Sequence, residues 1–277
     1  MEQQDIRGSG RSNEGIVLAI LLVGVVVLGL WTFLQRDHWF PPLASQHGAD
    51  LDRLFMITLS ITGSTFIILL LILGYILVRF RERGGGRAET RVNRAFELRF
   101  ALVAGVFVFL VDVGLSVLSE GVWFQIHASD SQPNEYTVEA TGEQFMWQFR
   151  YPGPDGTFGA TSPALATATN PVGLDMRDAA AQDDKVITNN LHLPVGRPAR
   201  IRLRSKDVIH CFFLPDFRVK QDVVPGMLID VRFVPTREGD YEVVCNQLCG
   251  LGHYKMKAFL KVESEEALAR WLNEQGV

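Results

Sequence analysis

The sequence predicts membrane-spanning α-helices followed by an all-β sandwich or Greek-key barrel, and two patterns along its 277 residues carry that reading. The N-terminal part holds three long apolar stretches, each near the roughly 20 residues that a helix needs to cross a hydrocarbon core of about 30 Å. From Glu135 onward the apolar residues fall into short β-type runs broken by Gly, Pro and Asp. With 47% hydrophobic residues the chain is too apolar to be disordered. A formal charge of -4 removes the general electrostatic case for binding nucleic acid. Three cysteines without an even framework exclude a small disulfide-stapled scaffold and leave metal ligation open.

The apolar stretches run from Ile16 to Leu34, Leu54 to Val78 and Leu98 to Leu118. Arg79, Arg81, Arg83, Arg87, Arg91 and Arg94 stand between the second and the third, with Arg99 at the start of the third, whereas the connection 35–53 holds only Arg36 and Arg53. The positive-inside rule places the Arg-rich loop in the cytoplasm, in agreement with Arg7 and Arg11, so the chain after about Ser119 lies on the far side. The first stretch has the basic start and core length of a signal peptide. Trp31, Phe33, Trp39 and Phe40 follow it, however, as an interfacial aromatic belt in place of a small-x-small cleavage site, so a retained helix is expected. Three parts result: an N-terminal transmembrane helix (1–34), a transmembrane hairpin with an Arg-rich cytoplasmic loop (35–118), and an extracytoplasmic β domain with a C-terminal helix (119–277).

Candidate strands are Tyr136 to Ala140, Phe145 to Tyr151, Asn190 to Leu193, Ala199 to Ser205, Met227 to Phe233, Gly239 to Cys245 and Met256 to Glu263. Many short strands in roughly 150 residues suggest the sandwich or barrel. The stretch from Pro152 to Lys185 lacks periodicity and reads as a long surface insertion. Its acids Asp175, Asp178, Asp183 and Asp184 lack the spacing of a calcium loop. Ser264 to Asn273 reads as a short helix, with Ser264 as N-cap and Glu265 and Glu266 in the first turn.

Chemistry concentrates near the C-terminus, where Cys245-Asn-Gln-Leu-Cys249-Gly-Leu-Gly-His253-Tyr-Lys-Met256 lies between two predicted strands, with His210 upstream. From Cys249 onward this is Cys-x3-His-x2-Met, and with a distant His it is the ligand set of a blue-copper site, where thiolate, imidazole and thioether select copper. Structural zinc sites rarely use Met. A second thiolate, Cys245, permits both sulfurs to bridge two ions, each with one imidazole from His210 or His253. Met256 would serve one ion and a backbone carbonyl between the cysteines the other. One charge shared over two bridged ions in a rigid cage suits electron transfer better than catalysis. The bland reading is a disulfide, a solvated His253 and a core Met256. Cys211 would point to the opposite strand face as a buried thiol. His38, His47, His127 and His192 have no partner pattern and read as structural or solvated.

With these residues the chain resembles subunit 2 of haem-copper cytochrome c oxidases, which carry a binuclear copper A centre in a cupredoxin domain, over about residues 50 to 263. The resemblance implies that His210, Cys245, Cys249, His253 and Met256 are copper ligands, together with the backbone carbonyl of Gln247. Pro215, Lys220, Asp222, Pro225 and Gly226 fit the family's stretch after the first His ligand. The family takes electrons from cytochrome c, or from a membrane-bound cytochrome c, and passes them to haem on subunit 1. There oxygen is reduced at a haem and copper B, so the enzyme's oxygen-reducing site is expected on a partner chain beside other oxidase subunits.

Four departures stand out. Gln247 replaces the family's usual Glu, so a weakened or absent magnesium site at the subunit interface is expected. Gln144-Phe145-Met146-Trp147 stands where the family usually reads Gln-Trp-x-Trp, so Phe145 occupies the electron-entry position, with Trp147 behind it. The first helix is extra, and no Cys-x-x-Cys-His occurs for a haem on this chain.

The outer part carries 16 Lys+Arg against 21 Asp+Glu, a net -5 that suits steering of a basic donor such as cytochrome c. Arg200, Arg202 and Arg204 alternate with Ile201 and Leu203 as a basic stripe, read as a solvated strand face with contact to lipid phosphate or an acidic partner as the alternative. Glu97, at the cytoplasmic start of the third helix, falls where the family has a carboxylate at the mouth of a proton channel. Asp112 lies deeper and should face protein or be protonated. The expected location is a bacterial-type cytoplasmic membrane with the C-terminal domain on the periplasmic side. The alternatives are a membrane-tethered copper chaperone or sensor, and a fragment of a nitrous oxide reductase.

Overall fold

Three helices account for the apolar stretches: α1 (Glu14–Leu34), α2 (Gly48–Arg79) and α3 (Arg94–His127). The computed structural model describes residues 13–80, 93–127 and 133–275. All three helices are long and apolar enough to cross a membrane. Threonines are tolerated inside α2 because their hydroxyls return to the helix backbone: Thr58 donates to the Leu54 carbonyl (2.9 Å) and Thr65 to that of Ile61 (2.9 Å). The aromatic belt forms beside α1, with Trp39 5.4 Å from Phe40 and Phe40 stacked on Phe55 at 5.7 Å. Arg7, Arg11, Arg81, Arg83, Arg87 and Arg91, on which the predicted topology partly rests, lie outside the described residues.

The chain divides into two compact units, Met1–Phe40 with Arg53–Leu118, and Pro41–Asp52 with Ser119–Val277. The second is the β domain. It holds β1 (Tyr136–Glu143), β2 (Met146–Tyr151), β3 (Lys185–Thr188), β4 (Asn190–Pro194), β5 (Ala199–Ser205), β6 (His210–Leu214), β7 (Val219–Val223), β8 (Ile229–Phe233), β9 (Gly239–Cys245), β10 (Lys257–Glu263) and helix α4 (Glu265–Glu274). One sheet has the order β3-β2-β1-β5-β8 and the other β4-β10-β9-β6-β7, each with a single parallel pair, β1 with β5 and β10 with β4. Inward residues alternate along β5 (Ala199, Ile201, Leu203) and β10 (Ala258, Leu260, Val262), and with Trp147, Phe149 and Phe212 they fill the core between the sheets. Pro41–Asp52 adds a flank, where Ser45 donates to the Phe217 carbonyl (2.6 Å) and Arg218 pairs with Asp52 (2.8 Å).

Three strands fall outside the runs predicted from sequence. β6 is buried on both faces, so it shows no alternation; β7 is short with a polar centre, and β3 is a four-residue strand that closes the insertion. Phe145 stands in the turn before β2 rather than in the strand, and β8 starts at Ile229. The basic stripe is also corrected. Arg200, Arg202 and Arg204 do point away from the core, but they are only partly exposed: Arg200 pairs with Asp230, Arg202 lies 3.6 Å from Glu139, and Arg204 donates to Thr161 (3.2 Å). Cross-strand acids on β1 and β8 neutralise the row, which a single strand's sequence does not reveal.

The insertion packs on the outer face of the same sheet, which explains why β2 is buried at successive positions from Trp147 to Tyr151. Arg150 sits there with 3% of its side chain exposed, 3.0 Å from Glu139 and 2.5 Å from Asp184, and it also donates to the Gly159 carbonyl. Ser264 caps α4 by accepting from the Ala267 N–H (3.2 Å). His192 is structural: it stacks on Trp271 of α4 at 3.5 Å and meets Glu263 at 2.6 Å. Removing one member of a buried charge cluster strands the others, so Arg150→Ala should cost about 3–5 kcal/mol in denaturant unfolding of the purified chain. A loss under about 1 kcal/mol would show that the insertion is held by other contacts.

Candidate metal centre

His210 opens β6 and Cys245 closes β9, and these strands pair antiparallel with Phe212 opposite Cys245. Alternation puts His210 on the inward face with Phe212, where the Trp147 ring meets it edge-on at 6.1 Å. Cys211 takes the other face: it is buried but lies outside the core cluster, and its thiol is pushed up to about 12 by burial and by Asp222. That matches the sequence reading of a buried thiol on the opposite strand face.

The segment 246–256 is the loop of the β9-β10 hairpin. Its ends are tied by Cys245 N–H to the Met256 carbonyl (3.1 Å) and by Asn246 N–H to the Cys211 carbonyl (3.1 Å). Gly250 takes a φ of 138°, a conformation that side chains disfavour. A Cβ on Gly252 would stand 2.4 Å from the Phe145 ring. Gln144 donates its side-chain amide to the Cys249 carbonyl, so Gln144 and Phe145 brace the loop from the first sheet.

This bracing gathers six donor atoms. The sulfurs of Cys245 and Cys249 lie 3.9 Å apart and all three cysteines of the chain are free. The Nδ1 atom of His210 is 3.9 Å from Cys245 Sγ, and that of His253 is 3.6 Å from Cys249 Sγ. Met256 Sδ is 3.7 Å from Cys249 Sγ, and the Gln247 carbonyl accepts from Cys245 at 3.3 Å. His210, Cys245, Cys249 and Met256 are buried, His253 is half-buried and the Gln247 side chain is exposed. Among the described residues, His210, Cys245 and Cys249 form the one cluster of His, Cys and acidic groups close enough to hold an ion.

Electrostatics favours a cation here. Burial raises the Cys245 thiol, but His210, His253 and backbone groups outweigh it and bring it down to about 6. Cys249 is pushed up to about 11 by burial and by the charge of Cys245. Two thiolates at this distance therefore need positive charge between them. With a metal–thiolate bond of about 2.3 Å, the sulfur separation lets one ion touch both, and soft sulfur with imidazole fits copper.

Every ligand atom expected from sequence lies in this cluster. Phe145 is half-buried under the loop, and Trp147 is fully buried against His210. Glu97 is exposed in the first turn of α3, in the other unit. Sequence reasoning missed Asp207, which accepts from His210 Nε2 at 2.8 Å and from the Gln144 N–H at 2.8 Å. It fixes the ring so that Nδ1 faces the sulfurs. The available signal was an acid three residues before the histidine.

The family model described as cytochrome c oxidase subunit II, periplasmic domain, matches residues 136–263. The alternative cytochrome c oxidase subunit 2 of Bradyrhizobium diazoefficiens is 36% identical over 94% of this chain and 91% of its own length. Cytochrome c oxidase subunit 2 of Cereibacter sphaeroides is 30% identical over 85% of this chain and 79% of its own length. A crystal structure of the periplasmic domain of subunit II of cytochrome oxidase from Bradyrhizobium japonicum covers 52% of this chain and 95% of that one, with 28% identity and a TM-score of 0.39.

The wedge of Phe145 against the loop is open to a double-mutant cycle. Gly252→Ala should destabilise the metal-free chain by about 1–3 kcal/mol, and by clearly less in a Phe145→Leu background. Equal losses in both backgrounds would show that the ring does not set the loop.

Proposed function

The chain belongs to the cytochrome c oxidase subunit 2 family, and on that premise we propose that it is the electron-entry subunit of a haem-copper terminal oxidase, holding a pair of copper ions. The observation that carries this reading is the six-atom donor set around two buried sulfurs 3.9 Å apart. Cys245, Cys249, His210, His253, Met256 and the Gln247 carbonyl would hold the ions, the two sulfurs as thiolates and the two histidines through the Nδ1 atoms that face them. Copper bound there supplies one-electron redox chemistry. The protein's share is rigidity and dryness: β6 and β9 fix His210 and Cys245, Asp207 orients the imidazole, and the core excludes water from Cys249 and Met256, which are 3% and 2% exposed. A cage that moves little between charge states keeps reorganisation small.

The loop's rim supports docking of an electron donor. Leu248, Leu251 and Tyr254 are 80%, 98% and 78% exposed around the buried cluster. Apolar groups at a contact on a net acidic domain suit a basic cytochrome c, with Phe145 and Trp147 as the aromatic route inward. Electrons then pass to haem on subunit 1, where oxygen is reduced. On this reading Glu97 serves at the mouth of a proton channel, and the domain works on the periplasmic side of a bacterial cytoplasmic membrane. The neutral Gln247 side chain offers little to a hard cation, so magnesium at the subunit interface is weakly held. A chaperone reading is disfavoured because its ligands must be accessible for exchange, and both sulfurs, His210 and Met256 are buried.

Cys249→Ser should lower cytochrome c-driven oxygen consumption of the purified complex by about 100-fold or more, with haem content unchanged and no recovery on adding copper salts. Recovery with copper would favour the chaperone reading instead.

A further inference from the structure

Asp112 stands near the middle of α3, with no charged residue among the twelve before it or the seven after it. At the rise of an α-helix it lies about 20 Å from Arg99 and about 12 Å from Glu120, well inside a hydrocarbon core. Its side chain is exposed on the helix surface, and the apolar window of α3 has no buried residue. A carboxylate at that depth in lipid is costly, and sequences retain one where it meets a partner. The other two apolar helices of this chain supply no basic partner at that depth. α1 contains no Lys, Arg or His, and the membrane unit's part of α2 has only Arg53 and Arg79 at its ends.

The face around Asp112 is shaped for close approach. Ala101, Gly105, Val108, Asp112, Ser116 and Ser119 follow at steps of three and four, which places them along one side of the helix. Small residues there let a second backbone come near, and intramembrane polar groups join helices when each finds a complement. We propose that this face of α3 docks a transmembrane helix of another oxidase subunit that presents a basic side chain, Lys, Arg or His, to Asp112. The inference rests on the reading of the chain as one subunit of a membrane oxidase. Charge complementarity selects the occupant: hydrocarbon tails carry no donor, and a second copy of this chain would set Asp112 against Asp112.

The test is co-purification of the oxidase subunits with affinity-tagged full-length chain carrying Asp112→Leu, Asp112→Lys, Asp112→Glu or no change, with membrane insertion and copper content measured for each. The expected result is a loss of about tenfold or more in co-purified haem-bearing subunit for Leu and Lys, retention for Glu, and unchanged insertion and copper. Unchanged co-purification in all variants overturns the contact and leaves the oxidase reading intact. Loss of a second, differently tagged copy of this chain in the same variants, with the other subunits retained, overturns it in favour of self-association. A wild-type chain that brings down no haem-bearing subunit overturns both readings.

Discussion

The pairing of β6 with β9 is the constraint on which the centre depends. Placing Phe212 opposite Cys245 brings the strand that starts with His210 against the strand that ends with the first sulfur, and one hairpin loop must then return the other ligands to the same spot. An eleven-residue loop can do this because its ends are hydrogen-bonded to the sheet, Gly250 takes a left-handed turn, and Gly252 leaves room for Phe145. Function is in this sense a property of the sandwich: shifting the register by one residue would turn His210 outward and Cys211 inward.

Burial and charge act together at this spot. Two thiols in a dry environment resist double ionisation, and the second holds its proton because the first has lost its own. A cluster that is electrostatically awkward when empty is thereby suited to metal, and the surrounding core keeps water and competing ligands away. Asp207 contributes from outside the ligand set by holding the far nitrogen of His210.

Much of this was legible in the sequence where local pattern and chemistry coincide. The three helices announce themselves by length of apolar run, and the spacing of Cys245, Cys249, His253 and Met256 by itself points to a shared site. What escaped were features set by neighbours distant in sequence. β6 is covered on both faces and so lost its alternation. Arg200, Arg202 and Arg204 looked like a solvated stripe because Glu139 and Asp230 lie on other strands. Arg150, outward-facing on β2, is buried where Asp184 and the Gly159 carbonyl of the insertion meet it, and Gln148 beside it is held by Glu143 and Thr188. Gln144 and Asp207 were passed over as supports of the centre for the same reason: each acts across the gap between the sheets or around a turn.

The most direct test of the copper-pair account is metal analysis combined with electron paramagnetic resonance on the purified, oxidised chain. The account predicts two copper ions per chain and one unpaired electron spread over two equivalent copper nuclei. A single copper with its spin on one nucleus, or a Cys245–Cys249 disulfide in the isolated protein, would contradict it.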